Sequence, residues 1–412
     1  MIVRDLLVEP HPEAVRLSAQ FDFDTRPQLS GRVWIEWPPD FAPVLKKRLD
    51  PFAVIALPLS GALREPLRGE GPISQKLLRN LHEAAGVYQA YFPKLFRRLP
   101  IEIPVEARSP VQGRWASFYS GGVDSLYTVV EIERRAQAGT SHPLDQLWLV
   151  HGFDISLEGE ELWERVRERL IKSVEGKLPQ RVVCIRTNLR SFYDPVFPWA
   201  RLGFGAAMAG VAKCVAGSVS TVLISSYTTY ERLIPHASTP LVDPLWSCEE
   251  QEIVHFSCLA DRNEKLQTIA TRPELLEGLR VCFRNTGGDY NCGACEKCLR
   301  TQVELIIAGL QERSHSFPWP LDLRALRAVE LPYKREEVYV WQFWLDIYAR
   351  CRARLDLKAL SRAIRSMLIR NRLRCAFWLC FRRMRRSLRR ILRRYFRRIL
   401  RGVARRLGLL RT

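Results

Sequence analysis

The hexapeptide Ser120-Gly121-Gly122-Val123-Asp124-Ser125 constrains this chain more than any other feature. It follows the apolar run Trp115 to Tyr119 and precedes Leu126-Tyr127-Thr128-Val129-Val130, so it reads as a strand, a glycine turn and a helix. Gly121 and Gly122 let the backbone approach a polyanion closely, because no Cβ intervenes. A helix starting near Val123 presents unpaired N–H groups and the positive end of its dipole to such a group. Ser120 and Ser125 add hydroxyl donors, and Asp124 brings a carboxylate for the magnesium ion that accompanies a polyphosphate. The turn is not a Walker A loop, since no Gly-Lys-Ser/Thr follows at the required spacing.

The surroundings of the turn alternate between two periods. Strands are expected at Trp115–Tyr119, Leu147–Phe153, Arg181–Thr187 and Val219–Ser226, separated by helices at Asp124–Ala136, Glu160–Val174 and Leu202–Ala216. Apolar runs of this length spaced by helices predict an α/β fold, a parallel sheet flanked by helices on both faces. Ligands in such sheets sit beyond the carboxyl ends of the strands, where the glycine turn falls.

Residues 1 to 110 read as a separate N-terminal α+β accessory domain. Val33–Trp37 and Phe52–Leu57 look like short strands, and Gln75 to Leu95 has helical spacing. No catalytic constellation is found there. The catalytic body is expected over 111–317, and 318–412 forms a C-terminal extension.

The motif resembles the SGGxDS signature of the PP-loop ATP pyrophosphatases at every fixed position. The resemblance implies ATP binding at Ser120 to Ser125 and cleavage between the α- and β-phosphates, with Asp124 and Ser125 as catalytic residues. It also implies that the end of the second strand, Val150-His151-Gly152-Phe153-Asp154, borders the adenine, with His151 beside the cofactor. Asp243, in the segment PLVDPLWS, lies beyond the fourth strand and is a candidate either for the site or for a capping role.

A second signal lies downstream. Cys292, Cys295 and Cys298 follow a CxxCxxC pattern, with Cys282 upstream and Gly287, Gly288 and Gly293 permitting tight turns. Four thiolates at this spacing close a tetrahedral zinc site with no open position for water, which predicts a structural metal. An iron–sulfur cluster is the competing occupant. Together, the two motifs resemble the 7-cyano-7-deazaguanine synthases of queuosine biosynthesis, over about residues 113 to 310. The resemblance implies a carbon–nitrogen ligase that adenylates a carboxylate for attack by ammonia. The N-terminal domain and C-terminal extension have no counterpart in the housekeeping synthase, a layout closer to multidomain relatives. Transfer of sulfur to tRNA, sugar amidation and a non-catalytic ATP sensor are the alternatives.

The net charge of +20 suggests a nucleic-acid binder until its distribution is examined. The segment from Ser361 to the end holds 19 Arg and no Asp, Glu or Lys, leaving 45 basic and 44 acidic residues elsewhere. The basicity thus belongs to the tail. From Met384 its apolar residues trace one helical face and its paired arginines mostly take the other. Such a basic amphipathic helix suits an anionic membrane surface or nucleic-acid phosphates. No apolar run is long enough for a transmembrane segment or a signal peptide, and the scattered cysteines suit a reducing compartment. The expected location is cytoplasmic, peripheral to the membrane.

Overall fold

The computed structural model describes residues 1–285, 289–332 and 338–377, in two compact units divided between Leu321 and Asp322. The first unit is an α/β structure built on a large, mostly parallel sheet. Its strands are β1 (Ile2–His11), β2 (Ala14–Asp22), β3 (Gly31–Trp37), β4 (Leu67–Gly69), β5 (Ile73–Ser74), β6 (Ile101–Glu102) and β7 (Val105–Glu106). These are followed by β8 (Arg114–Phe118), β9 (Gln146–His151), β10 (Arg181–Thr187), β11 (Val219–Ser225) and β12 (Glu252–Phe256). Ten of them join in the order β12-β11-β8-β9-β10-β3-β2-β1-β4-β6, and β5 pairs with β7.

The half that carries the glycine turn, β12-β11-β8-β9-β10, is parallel throughout. Read from β8, the chain adds β9 and β10 on one side, then returns to add β11 and β12 on the other. The order therefore reverses between β8 and β11, the point at which an open α/β sheet leaves a crevice at its carboxyl edge.

Successive residues of these strands face opposite layers. Trp148, Val222 and Ile224 join a core with α1 (Asp50–Leu63), α2 (Gln75–Tyr91) and α6 (Phe204–Lys213). Leu147, Leu149 and Leu223 join the other, with α3 (Val123–Gln137), α4 (Glu160–Val174), α7 (Arg262–Ile269) and α8 (Glu296–Ala308). Both faces are thus covered, which is why the strands are apolar runs without alternation. A short α5 (Leu189–Tyr193) follows β10.

The N-terminal residues share this sheet. β3 pairs antiparallel with β10, and β2 and β1 continue outward from β3. Side chains seal the seam: Thr187 Oγ1 donates to the Trp34 carbonyl at 2.7 Å, and Asn188 Oδ1 accepts from the Trp34 N–H at 2.9 Å. Trp37 of β3 meets Trp148 of β9 edge-on at 5.2 Å. No break in the sheet marks the boundary expected near residue 110, and Met1–Leu321 form one compact unit.

The run Phe52–Leu57 is helical, within α1, and not the strand its composition suggested. Every residue from Asp50 to Gly61 is buried, so the segment has no polar face and its sequence no readable period. Helix α6 lies against it, and a Cβ on Gly210 would lie 2.4 Å from Ile55. Small residues on one helix allow the bulky apolar surface of the other to be enclosed completely.

The second unit, from Asp322, contains α9 (Leu323–Ala328), α10 (Val338–Arg352) and a helix over 358–377. Buried Asn371 accepts from the Leu331 N–H and donates to the Val329 carbonyl, both at 2.9 Å. The arginine-rich helix expected from Met384 lies outside the described residues. Among those described, no helix is long and apolar enough to cross a membrane.

Candidate functional site

The glycine turn leaves β8 at Phe118 and enters α3 at Val123, beside the reversal in strand order. Gly121 adopts φ +71°, and a Cβ there would sit 2.4 Å from Leu170 Cδ2 and 2.7 Å from the Gly278 carbonyl. Only glycine fits both the left-handed backbone and that space. Gly122 occupies the N-cap of α3, and no side chain caps the helix, so its first N–H groups stay available to an anion. Exposed Ser120 accepts the Gly122 N–H at 3.3 Å, while buried Ser125 donates to the Gly122 carbonyl at 3.0 Å. Val123 is buried and anchors the first turn of α3.

Asp124 faces two cations that the sequence reading did not single out. Lys265 Nζ donates to its Oδ1 at 2.7 Å, and Arg262 lies 3.8 Å from Oδ2. Burial opposes ionisation of Asp124, but Lys265 and Arg262 outweigh it and hold the carboxyl below its ordinary range. The Lys265 side chain is only 2% exposed and also donates to the Ser226 carbonyl, just past β11. Arg262 is set by Glu304 Oε2 at 2.6 Å and Thr301 Oγ1 at 2.9 Å, both on α8. These cations are one turn apart on α7, directly after a parallel strand, and that spacing is the signal by which they could have been found.

Cys282, Cys292, Cys295 and Cys298 converge as expected, with their sulfurs all within 4.8 Å of one another. Cys292 and Cys298 are 3.9 Å apart, close to the separation of about 3.8 Å that a tetrahedral site with Zn–S bonds of about 2.3 Å requires. Backbone N–H groups of Cys295 and Cys298 point at the sulfurs of Cys292 and Cys295, each at 3.4 Å. Hydrogen bonds from the Cys298 thiol and N–H pull the Cys295 thiol below its ordinary range, while the same hydrogen bond raises Cys298 and burial raises Cys292. Gly293 takes φ +65°, and a Cβ on it would lie 2.3 Å from Pro318 Cγ. Buried Asn291 joins the two arms: Oδ1 accepts from Val281 and Cys282, while Nδ2 donates to Leu279 and Ser316. The donor set and its spacing fit a metal ion such as zinc.

His151 lies at the end of β9, where its Nδ1 is buried without a hydrogen-bond partner. It stacks on Trp163 at 4.5 Å, nearly parallel, and its Nε2 meets the Ser156 carbonyl at 3.0 Å. Burial lowers its pKa, so the imidazole is neutral and packed. Asp243 is fully buried; its Oδ2 accepts from Ser238 Oγ at 2.6 Å and pairs with His255 Nδ1 at 2.7 Å.

No family model, curated protein or solved structure matches the chain. The functional reading therefore rests on the geometry of the site and on its motifs.

Proposed function

We propose that the chain is an ATP-dependent ligase of the PP-loop type: it adenylates a carboxylate, releases pyrophosphate and passes the activated acyl group to nitrogen. The observation that carries this reading is the convergence, at the point where strand order reverses, of an uncapped helix N-terminus, two glycines, Asp124, Lys265 and Arg262. The helix N-terminus, Lys265 and Arg262 around one small turn make a cradle for a polyphosphate, with Asp124 as the carboxylate for its cation.

In this reading the Gly121-Gly122 backbone and the first N–H groups of α3 hold the phosphates that leave as pyrophosphate. Ser120 and Ser125 add hydroxyl donors. Magnesium, when bound at Asp124, supplies charge to the phosphates. Lys265 and Arg262 then turn from Asp124 toward phosphate oxygens and stabilise the charge that develops as the α–β bond breaks. The four-cysteine site has all its ligand positions filled by sulfur, so a zinc ion there is structural. The acceptor class follows from the likeness to 7-cyano-7-deazaguanine synthases.

Purified protein incubated with Mg-ATP, 7-carboxy-7-deazaguanine and ammonium tests the reading. AMP, pyrophosphate and a deazaguanine amide or nitrile are the expected products. AMP and pyrophosphate with the deazaguanine unchanged would retain the adenylation chemistry and reject that acceptor. If no candidate acceptor yields AMP, the ligase reading fails.

A further inference from the structure

A surface helix needs one apolar face to fold, and the helix over 358–377 has two. One is packed within the second unit: Ala363, Ile364 and Met367 are fully buried, and Leu360 and Leu368 nearly so. The other carries Ile369, Leu373 and Phe377, which are 48%, 66% and 76% exposed. Their spacing of four residues sets them one above another in a single stripe, about 12 Å long at a rise of about 1.5 Å per residue. With about 3.6 residues per turn, the stripe lies across the helix from Ile364, Met367 and Asn371.

Charge accompanies the stripe. Exposed Arg365 and Arg372 flank it on one side and Arg370 on the other, and Arg362 lies in line with it two turns earlier. From Lys358 onward the sequence contains no Asp or Glu. Two of the arginines serve the fold: Arg370 donates to the Val329 carbonyl at 2.6 Å, and Arg374 pairs with Glu330 at 3.0 Å. Arg365 and Arg372 have no ion pair among the described residues. Directly after Phe377 the sequence reads Trp378-Leu379-Cys380-Phe381-Arg382-Arg383, which adds the aromatic and basic residue types that interfacial helices use.

We propose that this face of the helix over 358–377 binds the surface of an anionic lipid bilayer. Ile369, Leu373 and Phe377 enter the boundary between headgroups and acyl chains, and Arg362, Arg365 and Arg372 meet lipid phosphates. The combination of stripe and charge selects this partner. Nucleic-acid phosphates would engage the arginines but leave three apolar side chains in water. A protein groove would cover the stripe, but the cores of such interfaces are depleted in charge, and here arginines border the stripe on both sides. In a bilayer the long arginine side chains reach from the apolar boundary up to the headgroups, so stripe and charge are satisfied together. The binding needs no nucleotide and stands apart from the ligase reading.

The test is co-sedimentation of the full chain with vesicles of phosphatidylcholine, alone or mixed with phosphatidylglycerol. Wild type is expected to bind the mixed vesicles about tenfold more tightly or better, an advantage that shrinks as salt rises. Ile369→Ser, Leu373→Ser and Phe377→Ser together should weaken that binding about tenfold or more. The melting curve should not move, because all three side chains are exposed. Phe377→Ser alone, which serves if the triple variant melts early, should weaken binding about fivefold. Arg365→Gln with Arg372→Gln should narrow the preference for the mixed vesicles about tenfold. Stripe variants that bind the mixed vesicles as wild type does would overturn the proposal and assign the affinity to arginines elsewhere in the chain. Equal binding to both vesicle types would overturn it, as would binding to a mixed-sequence oligonucleotide but to neither vesicle. A dimer that the stripe variant dissolves, with no vesicle binding by wild type, would reassign the face to a second copy of the chain.

Discussion

The backbone N–H of Arg280 donates to the carbonyl of Gly121 at 2.9 Å. One hydrogen bond thus joins the glycine turn to the segment that leads into Cys282. A second connection runs through α8, which begins at the Cys295 cap and presents Thr301 and Glu304 to Arg262 beside Asp124. The cysteine cluster therefore supports the loop from two directions without facing it.

From that coupling, metal loss should weaken the loop as well as the fold. Elemental analysis is expected to find about one zinc per chain, and a strong chelator or Cys292→Ser should remove it. Thermal unfolding should then shift downward, since metal binding contributes directly to folding free energy, and ATP affinity should fall with it. Metal removal that leaves both the melting curve and ATP binding unchanged would contradict the coupling.

Gly121 and Gly122 should respond differently to alanine. Gly121→Ala must place a Cβ at φ +71°, 2.4 Å from Leu170, and is expected to cost about 2 kcal/mol or more in urea unfolding. At Gly122 the nearest contact is Ser120 Oγ at 3.3 Å, so Gly122→Ala should fold close to normally and lose mainly nucleotide affinity, measured by calorimetry.

Lys265 is almost entirely enclosed and its charge is balanced by a partly exposed Asp124. Asp124→Asn removes the countercharge of that ammonium and leaves it only neutral acceptors, at a cost of about 2–4 kcal/mol, below the fully buried limit because Asp124 reaches solvent. The sign of the pH effect follows from the depressed carboxyl pKa. Stability from Asp124 is present above the unfolded carboxylate value of about 3.9 and is lost as pH falls through the lower folded value. The difference between wild type and Asp124→Asn in unfolding free energy should therefore narrow below about pH 4.

His255 should show the opposite sign. Burial alone would lower its pKa, but Asp243 and Cys258 raise it from 6.5 to about 9. Its contribution is fully present below 6.5 and is lost as pH rises through about 9. Wild type should accordingly exceed Asp243→Asn by up to about 3 kcal/mol near pH 6, a margin that shrinks toward pH 9 in chemical denaturation.

Local periodicity carried much of the parallel half of the sheet. The limits of β10 and α4 coincide with the segments expected from sequence, because each has a clean apolar pattern flanked by polar or turn residues. The four cysteines were legible because a metal site demands both residue type and spacing. Phe52–Leu57 was misread because full burial of α1 erased its period.

What the sequence determined by itself was the set of local pieces: the glycine turn between strand and helix, the alternating elements around it and the sulfur ligands. The tertiary structure alone decided how distant pieces meet. It placed Lys265, 141 positions from Asp124, against the loop, and it merged the N-terminal strands into the same sheet as β8–β12. It also brought Asp243 against His255. Local pattern follows from neighbours along the backbone. Ion pairs and sheet order depend on which elements pack together, and no window of sequence encodes that distance.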